Sequence, residues 1–178
     1  MQKPVTTTAA ELGITDDLLV ARGLRQYQEA RELIIAEVGT DGREHQLISQ
    51  AADAWRQLRS AANEAGINLF IVSAFRSIER QVAIIRRKLD AGISIEEILT
   101  VLAPPGFSEH HTGCAVDICT PGTAPATLEF ETTAAFSWLM DNANAYGFYL
   151  SYPQGNPEGF QYEPWHWCFH PAQTTFTT

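Results

Sequence analysis

The stretch GFSEHHTGCAVDIC, residues 106–119, decides how this chain is read. His110 and His111 stand side by side, and Asp117 follows His110 by seven positions. Around Asp117 the residues Ala115, Val116, Ile118 and Cys119 are small or apolar, the pattern of a strand entering a core. Strand alternation puts Ala115, Asp117 and Cys119 on one face. A carboxylate on such a face is costly unless it is paired or bound to a metal. From this stretch alone two readings stand level. Asp117 accepts hydrogen bonds from backbone or arginine, or it joins a histidine as a metal ligand.

A second stretch, YEPWHWCF at residues 162–169, bears on that choice. It holds Glu163 and His166, with Trp165 and Trp167 flanking the histidine. An unbroken strand would send Glu163 and His166 to opposite faces, but Pro164 disturbs the register. His166 alone reads as a core histidine with a satisfied partner. Two histidine-bearing stretches, an embedded aspartate and a spare glutamate together form the ligands and base of an open zinc site. A third stretch, SAFRS at residues 73–77, places Arg76 directly after the strand-like INLFIV. A cation there wants an anionic partner, whether for a salt bridge or for a reaction.

The rest of the chain supplies the frame. The 178 residues are 45% hydrophobic and 10% aromatic, enough for one domain with a real core. Net charge is −9, from 21 acidic residues against 12 Lys and Arg, so phosphate backbones are repelled and nucleic acid is not an expected partner. No run approaches the roughly 18 apolar residues of a membrane span. The N-terminus lacks a basic region followed by an apolar one, so it does not read as a signal peptide. The expected compartment is the cytoplasm, or the cell wall or periplasm after removal of a leader. The cysteines Cys114, Cys119 and Cys168 are odd in number and read as buried small apolar residues.

Periodicity predicts a helix over residues 23–38, from Leu24, Tyr27, Leu33, Ile34 and Val38, so residues 1–45 read as a helical N-terminal extension. Leu47, Ala51, Trp55, Leu58 and Ala62 make an apolar stripe on a second helix ending at Gly66. A strand follows, then a helix ending near Gly92, a short helix opened by the Ser94–Glu97 capping box, and the strand around Asp117. A helix capped by Thr132 or Thr133 and closed by Gly147, a strand at FYLSYP and the final strand complete the pass. This order predicts an α+β fold, one domain over residues 1–178, with a central, mostly antiparallel sheet and helices packed around it.

The three motifs resemble those of the VanY-type D-alanyl-D-alanine carboxypeptidases, zinc peptidases that trim peptidoglycan stem peptides. SEHHTGCAVD matches S-x-H-x-x-G-x-A-x-D and EPWH matches E-x-x-H. SAFRS with Gln81 resembles the family's arginine motif, with Ala74 in place of a glycine. The motifs occur in the family's order, over about Leu58 to Phe169. The resemblance implies zinc held by His110, Asp117 and His166. It puts Glu163 on the catalytic base and Arg76 on the arginine that stabilises the developing oxyanion. Ser108, Gln81 and Trp165 fall on positions lining the substrate pocket. The implied substrate is a peptidoglycan stem peptide losing its terminal D-Ala. The alternatives are an L,D-carboxypeptidase acting on tetrapeptide stems, an endopeptidase, and a non-catalytic wall-binding module. His111 has no assigned role beyond shaping the pocket rim or supporting a ligand.

Overall fold

The computed structural model describes residues 9–170. Residues 1–8, on which the reading of an absent leader rests in part, lie outside them. A short helix α1 (Asp16–Ala21) is capped by Thr15, whose hydroxyl accepts from the Leu18 N–H at 3.3 Å. Then comes a hairpin of β1 (Ile34–Val38) and β2 (Glu44–Leu47), paired from Ile34↔Leu47 to Val38↔Glu44. The helix expected over residues 23–38 is therefore corrected: this stretch is extended and ends in a strand. The physical reason is visible at Glu37. It is buried among hydrogen-bond donors, while Ile34, Ile35 and Val38 face outward. Of the residues that gave the helical spacing, Ile34 and Val38 are exposed while Leu24 packs against other parts of the domain, so tertiary contacts overrode the local pattern. The N-terminal extension is only partly helical.

The helix α2 (Ser49–Glu64) buries Ala51, Trp55, Leu58 and Ala62 completely, as the stripe predicts. Leu47 is equally buried but belongs to β2. The chain reverses at Gly66, at φ 76°, and enters β3 (Phe70–Ser73). The helix α3 (Ile78–Asp90) is capped by Ser77, and α4 (Ile95–Ile98) by Ser94, whose hydroxyl accepts from the Glu97 N–H at 3.2 Å. Strand β4 (Ala115–Cys119), helix α5 (Ala134–Asn142, capped by Thr133), and strands β5 (Phe148–Leu150) and β6 (His166–Phe169) follow.

The second sheet has the order β3-β4-β6-β5, antiparallel throughout. The domain is the α+β fold that the element order predicts. Val116 pairs with Trp167, and these two with Ile118 turn toward α2 and α5, where Trp55, Leu58, Ala135 and Leu139 complete the main core. Full burial of one such side chain contributes roughly 1.5–3 kcal/mol, so this face holds the sheet in place. The opposite face carries Ser73, Asp117 and His166, which are cross-strand partners of one another. A second apolar cluster joins Leu12, Ile14 and Leu19 to Val82, Ile85, Ile98 and Phe107, so the N-terminal segment packs into the domain. Among the described residues no helix is long and apolar enough to cross a membrane.

Candidate metal centre and substrate cleft

The centre forms because two strands and a tight turn converge. A 3-10 turn (Glu109–Thr112) delivers His110 and ends at Gly113, at φ 68°. A Cβ on Gly113 would lie 2.8 Å from Leu33 Cδ2 and 3.2 Å from the Ile48 backbone nitrogen, so the turn needs glycine for both its angle and its space. Strand β4 delivers Asp117, and β6 sets His166 opposite it.

His110 Nε2 lies 3.3 Å from Asp117 Oδ2, and His166 Nδ1 lies 3.0 Å from Asp117 Oδ1. Ligand atoms of the three residues all fall within 4.8 Å of one another, and all three residues are buried. The other ring nitrogens are engaged from behind. His110 Nδ1 donates to the Ala74 carbonyl at 2.7 Å, and His166 Nε2 faces Glu109 Oε2 at 3.0 Å. Protons on those rear nitrogens leave both lone pairs aimed at Asp117. Two lone pairs and a carboxylate that meet in a buried space ask for a cation. The same demand shows in the titration. Burial alone would lower His166, but the hydrogen bonds that its protonated ring donates to Asp117 and Glu109 outweigh it and push it up to about 10. Burial would raise Asp117, yet the two imidazoles hold it well below the usual carboxylate range. The set fits a tetrahedral divalent metal with one position open.

Glu163 does not lie in β6, as an unbroken final strand would require. A turn over Pro164 and Trp165, closed by the His166 N–H to the Glu163 carbonyl at 3.0 Å, brings both side chains to one place. Glu163 Oε2 sits 3.9 Å from His166 Nδ1. Burial is the main cause that pushes the Glu163 carboxyl up to about 7, with Asp117 and Glu109 adding to it and His166 and Arg76 opposing. Arg76 is fixed at both ends. Its N–H donates to the His110 carbonyl, Nη1 donates to Gln81 Oε1 at 3.0 Å, and Nη2 to Ser73 Oγ at 3.3 Å. Burial lowers it, Asp117 and Glu163 counteract, and a guanidinium keeps its proton throughout.

Arg76, Ser108, His110, Asp117, Glu163 and His166 all line one cleft of about 790 Å³, with Trp165 in its wall. Gln81 is a correction to the expected lining. It is fully buried, its Oε1 is taken by Arg76, and its Nε2 donates to the Ala103 carbonyl at 2.6 Å, so it reaches the cleft only through Arg76. His111 is likewise behind the surface. It accepts from the Gly106 N–H at 3.1 Å and bonds the Arg76 carbonyl at 2.6 Å, which ties the loop before the turn to the arginine. Burial lowers its pKa, the state in which it can accept and donate at once.

Two residues escaped the sequence reading. Glu109 occupies an unspecified position of S-x-H, and nothing in its surroundings marks it as the partner of His166. Tyr152 stacks on His166 at 4.8 Å between ring centres and has no motif around it. Cys119 and Cys168 are buried and Cys114 half-buried, all free, as expected.

A buried centre of two histidines and one carboxylate, open to a cleft that also holds a glutamate and an arginine, defines a metallohydrolase type of site on a small α+β domain. The sequence model of the VanY family, D-alanyl-D-alanine carboxypeptidase, matches residues 44–172, and the chain belongs to that family. It is 37% identical over 123 residues to the putative carboxypeptidase YodJ of Bacillus subtilis, covering 66% of this chain and 44% of that protein. It is 29% identical over 123 residues to a D-alanyl-D-alanine carboxypeptidase of Enterococcus faecium, covering 67% and 36%. The chain thus spans less than half the length of these curated relatives. Among solved structures, an LD-carboxypeptidase, LdcB, superposes with a TM-score of 0.72 at 32% identity, covering 79% of this chain and 69% of that one. A vancomycin-resistance D,D-pentapeptidase, VanY, in complex with Zn(II) gives 0.61 at 28%, covering 80% of each.

Proposed function

We propose that this protein is a zinc-dependent D-alanyl-D-alanine carboxypeptidase that removes the terminal D-Ala from peptidoglycan stem peptides. The observation that supports it most is the convergence, in one cleft, of the His110–Asp117–His166 lone pairs with a glutamate near neutrality and a fixed arginine. His110, Asp117 and His166 would hold the zinc, which would supply a Lewis acid and an acidified water. Glu163 is the base: its carboxyl, pushed up to about 7, takes a proton from the attacking water and passes it to the leaving amine. Arg76, held by Gln81 and Ser73, faces the carbonyl oxygen as that oxygen gains negative charge. Ser108 and Trp165 bound the substrate beside the centre. One relative, of Enterococcus faecium, is named a D-alanyl-D-alanine carboxypeptidase, and VanYB is solved in complex with D-Alanine-D-Alanine.

A second reading, an L,D-carboxypeptidase that removes D-Ala from a tetrapeptide, is favoured by the likeness to LdcB. Digestion of defined tripeptide, tetrapeptide and pentapeptide stems by the zinc-loaded protein, with the products weighed, separates the two. Loss of one alanine from the pentapeptide supports the first. Cleavage of the tetrapeptide alone supports the second, and no cleavage of any stem rejects both.

A further inference from the structure

The family match begins at residue 44, yet a residue well before it holds, from behind, two stretches that wall the cleft. Arg22 closes the end of α1. Its Nε donates to the Glu158 carbonyl at 2.8 Å and its Nη1 to the Leu99 carbonyl at 2.8 Å. Its guanidinium carbon lies 4.4 Å from the centre of the Phe160 ring. Those three contacts fall on two separate stretches of chain. One runs on from α4 and supplies Leu102 and Ala103 to the cleft; the other precedes β6 and supplies Phe160, Gln161 and Glu163. The second stretch, residues 151–165, has no helix or strand of its own. Its shape rests on side-chain ties such as Asn156, which bonds both the N–H and the carbonyl of Phe160. The two stretches also meet where the Gln161 N–H donates to the Thr100 carbonyl at 2.9 Å. An irregular segment pays a large entropy cost to hold one shape, and a small displacement of a group near reacting atoms is costly.

We infer that Arg22 is a positioning residue for the substrate cleft: it clamps the Leu99 and Glu158 carbonyls and the Phe160 ring from behind, tying the N-terminal segment to the two stretches that wall the cleft. This rests on the carboxypeptidase reading above. The planar fork of arginine suits the task, since it bonds two carbonyls and lies on a ring at once; lysine gathers its three donors on one compact ammonium with no planar face, so it cannot reproduce both separated bonds and the ring contact together.

The test uses the full chain loaded with zinc, as Arg22→Ala and Arg22→Lys. Zinc should stay at one per chain in both. With the stem that the wild type cleaves, kcat/KM should fall about 10- to 100-fold in Arg22→Ala, carried mainly by KM, and Arg22→Lys should recover little of it. Unchanged KM in a folded, zinc-loaded Arg22→Ala protein overturns the proposal. So does full rescue by lysine, which would reduce the role to charge. Failure of both variants to fold would assign Arg22 to the fold and also overturn it. A wild type that cleaves no stem sinks the carboxypeptidase reading instead. The clamp is then judged by hydrogen exchange, where the Gln161 N–H should lose protection in Arg22→Ala, and retained protection counts against it.

Discussion

Two buried carboxylates sit against the strands of this domain, and their surroundings are opposite. Glu37 on β1 meets donors. The Trp55 Nε1–H bonds its Oε2 at 3.0 Å, the Ile71 N–H bonds its Oε1 at 3.0 Å, and Arg59 lies 3.2 Å away. Asp117 on β4 meets the nitrogens of two imidazoles whose rear atoms are already engaged by Ala74 and Glu109. Burial is nearly the same, with 7% of Glu37 and 8% of Asp117 exposed. Burial therefore does not distinguish a structural carboxylate from a functional one. What distinguishes them is whether the neighbours bring hydrogens or lone pairs. A carboxylate surrounded by donors is complete. One that shares its space with lone pairs is a site awaiting a cation.

The contrast predicts its largest effect at Asp117. Asp117→Ala should abolish metal binding and, with it, turnover, while the metal-free protein stays folded on the apolar core packed against the other face of the sheet. Metal analysis with circular dichroism checks both halves. Full zinc occupancy in the variant would remove Asp117 from the ligand set. Next in size is Glu163→Ala, which leaves the three proposed ligands intact. It should hold zinc at one per chain and lose about 10²–10⁴-fold in rate, the worth of a positioned acid–base group. Wild-type turnover would end the assigned mechanism, and loss of zinc would make Glu163 a ligand.

At Glu37 the outcome should invert. Glu37→Ala strands two buried donors, each at a cost of about 1–3 kcal/mol, so the stability of the fold should drop by about 2–6 kcal/mol. Urea denaturation measures it. The folded fraction should still bind zinc and turn over normally. A stable variant with impaired zinc binding would erase the distinction between the two carboxylates.

The difference also explains what could be read from the sequence. Asp117 was only partly legible: its apolar alternation left a satisfied carboxylate and a metal ligand level, the stretch around His166 tipped the balance, and the family's motifs then chose His110 over His111. Glu37 was hidden because the apolar residues around it imitate a helix. Its donors come from α2 and β3, far along the chain, and no local pattern announces them. The sheet order and the turn at Pro164 follow the same rule. The four strands of the second sheet were marked by short β-rich runs, β1 and β2 were not, and Pro164 announced a break in register without the hydrogen bond that brings Glu163 beside His166. Gln81 was placed in the cleft by its position after Arg76, but its amide is consumed by the arginine and Ala103. Sequence gave the residue without the direction in which it points.

The smallest effect tests Glu109, which combines the two kinds of surroundings: it is a carboxylate that accepts from the back of a ligand. Its Oε2 lies 3.0 Å from His166 Nε2, and burial is outweighed by His166 so that its carboxyl is pulled down to about 2. If it fixes the proton on Nε2 and so frees Nδ1 to bind metal, Glu109→Ala should weaken zinc binding about 10- to 100-fold, the usual cost of losing such a support. Glu109→Gln removes the same charge but keeps an amide oxygen able to accept the Nε2–H. Competition with a chelator of known affinity then separates two causes. A glutamine variant that binds more tightly than the alanine variant shows that the hydrogen bond orients His166. Equal weakening in both shows that only the negative charge mattered, and no weakening in either releases Glu109 from the centre altogether.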